Sequence, residues 1–160
     1  MKLLLKNLTF TLVVHGTVGV YLPYILTRGD TPHSAAAYPV SLALFGVALG
    51  TYVWAVWNFA SRGRATPLPL DAPKTLIIAG PYLYTRNPMY VALFSALLGW
   101  LLLYQGLDLL LYAVGVVAAV TQFVIRYEEP HLKHEFGAQY ASYTASVPRW
   151  FPRLRRSPDA

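Results

Sequence analysis

Apolar residues gather along this chain in four long runs, at neither strand-like nor amphipathic spacing. The runs cover Leu8 to Leu26, Ala35 to Ala60, Pro88 to Tyr104 and Leu107 to Ile125. Each is close to the ~20 residues that cross a bilayer as a helix, so the pattern predicts four transmembrane helices over 8–26, 35–60, 88–104 and 107–125. The connections near Arg28 and near Gln105-Gly106 are short. They predict that helices one and two, and three and four, form antiparallel hairpins. Gly46 and Gly50 make a small-xxx-small pair on the second helix, which allows close helix packing, expected within the bundle in preference to a dimer interface.

Polar residues concentrate in two places. The segment between spans two and three carries Pro67, Pro69, Pro73 and Pro81, and predicts an irregular loop of restricted freedom. The tail after Ile125 is polar and aromatic. Within it, Pro130 to Ala145 predicts a surface helix: Pro130 suits a first helical turn, and Glu128 and Glu129 suit a helix N-terminus. Phe136, Tyr140 and Tyr143 fall at i, i+4, i+7 and share a face.

Composition sharpens the class. The chain is 56% hydrophobic and only 12% charged, where a soluble domain carries ~25% charged residues. The net charge of +6 does not indicate a nucleic-acid partner, because the basic residues flank apolar runs, as at a lipid headgroup surface. Of the 13 lysines and arginines, Lys2 and Lys6, then Arg62, Arg64, Lys74 and Arg86, then Arg126, Lys133, Arg149, Arg153, Arg155 and Arg156 lie on one side of a four-span arrangement. Arg28 is the exception. The positive-inside rule then puts both termini and the 61–87 loop in the cytoplasm. Lys2 and Lys6 precede a long apolar run without a small-residue cleavage site, so a retained helix is expected. The expected fold is an all-α integral membrane protein. It has four transmembrane helices as two antiparallel hairpins plus a cytoplasmic C-terminal amphipathic helix, in one domain over 1–160. Cysteine is absent, which excludes disulfides, thiolate metal sites and cysteine nucleophiles.

Candidate chemistry sits on the cytoplasmic side. Glu128 and Glu129 adjoin the end of the fourth span, where ionisable groups are costly unless solvated or paired. They read either as a helix end in headgroup water or as ligand-binding acids. Arg86 reads as a phosphate-touching anchor or as a fork for a carboxylate. Asn87-Pro88 is a good helix start, with Asn as N-cap and Pro at N1, and its free N–H groups suit an anionic ligand group. Tyr82, Tyr84, Tyr90, Tyr127, Tyr140 and Tyr143 are belt aromatics, or walls for a cation. His131 and His134 have metal-ligand spacing with no third ligand, so no metal site is assigned. His15 is expected to be a hydrogen-bonded packing residue of the first helix. No dinucleotide or P-loop motif occurs.

"KTLIIAGPYLYTRNPMY", an apolar hairpin and "RYEEPHLKHEFGAQYASYTASVPRWFPR" form a series. It resembles the isoprenylcysteine carboxyl methyltransferase family, which is related to the membrane phospholipid methyltransferases. The likeness runs from Thr75 to Arg153, about half of the chain. Its elements are G-x-Y, R-[HN]-P-x-Y, the hairpin, E-E, F-G-x-x-Y-x-x-Y and V-P-x-x-x-P. The resemblance implies S-adenosylmethionine-dependent methyl transfer to a lipid-like acceptor entering from the bilayer, with a cofactor region over 74–153. By position it implies cofactor contacts from Lys74, Thr75, Leu76, Ile77, Tyr82, Asn87, Pro88, Met89, Tyr90 and Glu128. It implies reaction-side roles for Arg86, Arg126 and Glu129. Asn87 replaces the histidine usual in that family, and Arg126 stands closer to the E-E pair than its counterpart.

The acceptor class stays open between a carboxylate or thiol on an isoprenoid and a phospholipid amine. Arg153, Arg155 and Arg156 are expected to meet acidic lipid headgroups. An NADPH-dependent membrane reductase and a non-catalytic four-helix scaffold are the competing readings.

Overall fold

The computed structural model describes residues 11–63 and 75–151, and they are all-helical. Helix α1 comprises a wide π-helical stretch, Thr11–Tyr21, continued as α-helix over Leu22–Leu26. Helix α2 is Ala37–Gly63, and α3 is Pro88–Tyr104. Helix α4 is Leu107–Phe123, and it passes through a π turn at Val124–Glu128 into α5, Glu129–Ser146. Residues 8–10 of the first expected span, Lys74 and Arg153, Arg155 and Arg156 lie outside the described residues.

The apolar residues point outward. The most apolar 18 residues within Ala37–Ser61 have a mean hydropathy of 1.7 with only 17% of them buried, and those within Leu107–Ser146 reach 2.0 with 17% buried. A soluble core helix hides such residues; here Leu42 and Leu49 are 72% and 67% exposed. A continuous exposed apolar surface of this kind belongs in lipid. Helices α1 and α3 are shorter apolar helices. The 17 residues of α3 span about 26 Å at 1.5 Å per residue.

The most extensive helix pair is α2 with α3, and α1 rests on α3 and α4. Two corrections to the sequence reading follow. Gly46 and Gly50 are exposed, and a Cβ at either would meet nothing within 4 Å. The buried small residues of α2 are instead Ser41, Ala48 and Ala55, spaced by seven, which keeps them on one face. Against α3, Ser95 donates to the Leu44 carbonyl at 3.1 Å, and a Cβ on Gly99 would lie 2.8 Å from Phe45. The turn after α1 reaches the far end of α3, where the His33 N–H donates to Leu103 O at 2.9 Å.

The second correction concerns the tail. Its helix does not start afresh at Pro130. Proline has no N–H and its ring crowds the carbonyl four residues earlier. The wide turn at Val124–Glu128 accommodates that crowding, and the helix continues. The break comes instead at Gly137, with φ 49° and ψ −121°, a conformation open to glycine. Tyr140 and Tyr143 beyond the break still pack with Val147, Leu76, Leu132 and Phe136.

Candidate active site

The site lies where the 75–87 segment, the start of α3, the α4–α5 junction and the arm after α5 meet. The approach begins at Gly80, whose φ is +58°. A Cβ there would come within 2.5 Å of the Asn58 amide. Glycine is therefore required both for the left-handed turn and for the contact. Asn58 is itself buried near the end of α2 and donates to the Trp54 carbonyl at 2.9 Å. The turn Gly80–Leu83 that follows inserts Tyr82 among Ala55, Ile77, Ala79 and Met89. From the other side, the Tyr143 hydroxyl donates to the Tyr82 carbonyl at 2.8 Å.

Next comes a clasp between Thr85-Arg86-Asn87 and the arm. The Arg86 N–H donates to Pro148 O at 2.9 Å. Thr85 Oγ1 and Asn87 Nδ2 both donate to Arg149 O, at 3.0 and 3.1 Å. Asn87 occupies the N-cap position of α3, with Pro88 at the first turn, but its side chain makes no capping bond. Its amide is committed to the arm.

The two neighbouring acids have opposite surroundings. Glu129 receives a fork from Arg149, with Nε and Nη2 each 2.8 Å from a carboxylate oxygen. Arg86 Nη1 lies 2.9 Å from Glu129 Oε1. The fork holds the Arg149 guanidinium above its ordinary pKa, although partial desolvation pulls the other way. Glu128 instead accepts one bond among the described residues, from the Tyr90 hydroxyl at 3.2 Å. Burial pushes its pKa up, the Tyr90 bond pulls it down, and the charge of Glu129 pushes it up again. Burial likewise raises the Tyr82 hydroxyl, with Tyr143 and Glu128 adding to the effect.

Arg86 has more to offer. Its Nε is buried with no acceptor among the described residues. The hydroxyl of Tyr140 lies by the same guanidinium, whose charge opposes the upward push of burial on that tyrosine.

The structure thus brings Tyr82, Arg86, Asn87, Tyr90, Glu128 and Glu129 together. Ile77, Pro88 and Met89 are buried; Ile77 and Met89 pack beneath Tyr82. Leu76 packs on the Tyr140–Tyr143 cluster, and Thr75 is exposed. Arg126 is exposed and two residues before Glu128, which on a helix sets it on roughly the opposite side. It is not brought to the Tyr90–Glu128 pair. Sequence reasoning did not single out Asn58, Tyr52, Thr85 or Arg149 as site residues. A lone asparagine late in an apolar run was the one visible signal for Asn58; the arm's return to Thr85 has no local signature.

The family model described as phospholipid methyltransferase matches residues 36–139, more than half of the chain. The cobalt-zinc-cadmium resistance protein CzcN of Cupriavidus metallidurans is 28% identical over 117 residues. The aligned part is 72% of this chain and 50% of that protein, so the chain spans about half the length of this curated relative. No solved structure matches. With residues 36–139 covering α2, α3, α4 and both acids of the site, the chain belongs to the phospholipid methyltransferase family.

Proposed function

We propose that the protein transfers a methyl group from S-adenosylmethionine to a lipid-like acceptor at the membrane surface, in the manner of the isoprenylcysteine carboxyl methyltransferases. The observation that carries this reading is a pair of unmet electrostatic demands. Glu128 is a half-buried, desolvated carboxylate held among the described residues by one tyrosine hydroxyl, and such an anion calls for a cationic or hydroxyl-bearing partner. Arg86 Nε is a buried donor calling for an acceptor. An anion and a cation presented in one site suit a zwitterionic amino-acid head, which the cofactor has.

Each residue then has a role. Glu128 takes the ammonium or the ribose hydroxyls. Arg86, with the free N–H groups of the first turn of α3, takes the carboxylate. Tyr82 and Tyr90 supply aromatic surface beside the sulfonium. The 74–77 segment supplies main-chain groups. Glu129, with both oxygens taken by guanidinium groups, positions Arg86 and Arg149. When bound, the cofactor supplies an electrophilic methyl group. The chain's own residues hold the partners in line and keep water away, which methyl displacement needs more than a strong acid or base.

The acceptor enters from the lipid around α1 to α4, as a carboxylate or thiol on an isoprenoid or as a phospholipid amine. Arg126, exposed at the boundary, meets acceptor or headgroup. The grouping of Arg86, Arg126 and Arg149 at one end of the helices, away from Arg28, supports a cytoplasmic site with both termini on that side.

Calorimetric titration with S-adenosylhomocysteine tests the reading. Micromolar binding that Glu128→Gln abolishes is the expected result. Folded protein that ignores it but binds NADPH would make the protein a reductase, and folded protein that binds neither would make it a scaffold.

A further inference from the structure

Helix α1 precedes the family-matching segment, which starts at residue 36, yet it brings an imidazole to the site. The His15 ring lies 4.9 Å from the ring of Tyr52 on α2 and 6.4 Å from that of Tyr90 on α3. Tyr90 in turn bonds Glu128. Four helical segments therefore place Tyr52, His15, Tyr90 and Glu128 in one contiguous row.

The register of α1 is fixed where it matters. The Tyr112 hydroxyl donates to Val18 O at 2.7 Å, and Trp100 Nε1 donates to Gly19 O at 3.1 Å. A Cβ on Gly19 would lie 2.9 Å from Leu93 Cδ1, so the two helices approach closely there. His15 is four residues before Gly19, and Tyr90 is three before Leu93. Each pair shares a helix face, so the close approach one turn away carries His15 onto Tyr90.

We infer that His15 is an acceptor-side residue of the reaction, taking the proton that a protonated nucleophile must lose. The inference rests on the methyltransferase reading above. When the acceptor is an ammonium, one N–H bond breaks and the proton passes to an imidazole nitrogen. The freed lone pair forms the bond to the methyl carbon, while the carbon–sulfur bond breaks and its electron pair stays on sulfur as the thioether. A neutral imidazole nitrogen has a lone pair that can accept a proton. Of the acids at the site, Glu129 is held by two arginines and Glu128 is committed to Tyr90 and, in the reading above, to the cofactor. A carboxylate nucleophile has no proton to lose, so His15 would be dispensable for it.

The test uses full-length protein in nanodiscs, with histidine labelled at the ε1 carbon and His15 assigned from His15→Gln and His15→Asn. S-adenosylhomocysteine should shift the His15 signal and leave His131 and His134 in place, while His15→Gln keeps its affinity within about threefold. With tritiated cofactor, methylation of phosphatidylethanolamine should fall about 100-fold in His15→Gln, the size of a lost general base. Methylation of a farnesylated cysteine carboxylate should not fall. An unmoved His15 signal in protein that binds the analogue overturns the inference alone, as do equal amine rates or loss of analogue binding in His15→Gln. Where neither acceptor is methylated, the His15 signal decides. Absence of binding in folded wild-type protein overturns the methyltransferase reading and this inference with it.

Discussion

Replacing Glu129 with Gln removes the one anion shared by Arg86 and Arg149, at almost constant volume. The two guanidiniums do not suffer equally. The Arg86 side chain is 13% exposed and that of Arg149 33%. Arg86 would be left as a nearly buried charge without its counterion, a situation that costs about 3–5 kcal/mol. Arg149 sits far enough into solvent that its loss of partner is worth no more than about 1 kcal/mol. The expected cost of Glu129→Gln is therefore about 3–4 kcal/mol, against about 1 kcal/mol for Arg149→Met, which leaves the Arg86–Glu129 pair intact. Reversible unfolding in mixed micelles measures both, and the double mutant should cost little more than Glu129→Gln alone. The reasoning is refuted if Arg149→Met proves as damaging as Glu129→Gln, because the clasp would then be held by the exposed arginine. It also fails if Glu129→Gln is neutral.

Burial raises the Glu128 pKa above the ordinary 4.5 of a glutamate, so the folded protein holds that proton more tightly than the unfolded chain. Its contribution to stability is full below about pH 4.5 and declines as pH rises through the raised value; Glu128→Gln should flatten that part of a stability-versus-pH curve. Affinity for a cationic ligand should rise over the same interval, which calorimetry at a series of pH values would show. Tyr90→Phe removes the bond that lowers the Glu128 pKa, so the same transition should move to higher pH in a carbonyl-region infrared titration. Gly80→Ala meets both a left-handed backbone and the Asn58 amide, and should cost about 2–4 kcal/mol in the micelle unfolding assay. Adding Asn58→Ala should recover part of that cost but not the backbone part. Gly50→Ala, with open space at its Cβ, should be neutral or stabilising by up to about 1 kcal/mol.

Much of this arrangement was legible before any coordinates. Bilayer thickness sets the length of apolar runs, so the helices fall within a few residues of 8–26, 35–60, 88–104 and 107–125. The polar signals at Arg86-Asn87 and Glu128-Glu129 likewise mark the candidate site, because a charge at a membrane boundary needs a reason. What could not be read was partnership across the chain. An apolar helix carries little polar contrast to show which face meets a neighbour, so Gly46 and Gly50 looked like a packing pair while Ser41, Ala48 and Ala55 form the buried stripe. Asn87 looked like a cap because its local neighbours allow one. Its amide turns instead to Arg149, 62 positions along the chain, and nothing near Asn87 announces that return. The same holds for Glu129, whose arginine partners come from two separate segments.

The helix that carries both acids explains why they diverge. A π turn closes at Glu128 and a regular helix resumes at Glu129, so the helix runs through this point without a loop and the side chains leave it about 100° apart. One reaches Tyr90 on the helix that starts at the clasp; the other reaches Arg86 of the clasp itself and Arg149 of the arm. A loop at this point would let both carboxylates turn toward water or toward the arginines, and neither would stay buried. The continuous helix keeps Glu128 from sharing Glu129's counterions even though they are adjacent in sequence. The chain therefore bears the desolvation of one carboxylate that no arginine among the described residues neutralises. That cost has no structural return in the described residues, where the Tyr90 hydroxyl is its one hydrogen-bond partner, and it becomes intelligible when a cationic ligand supplies the missing charge.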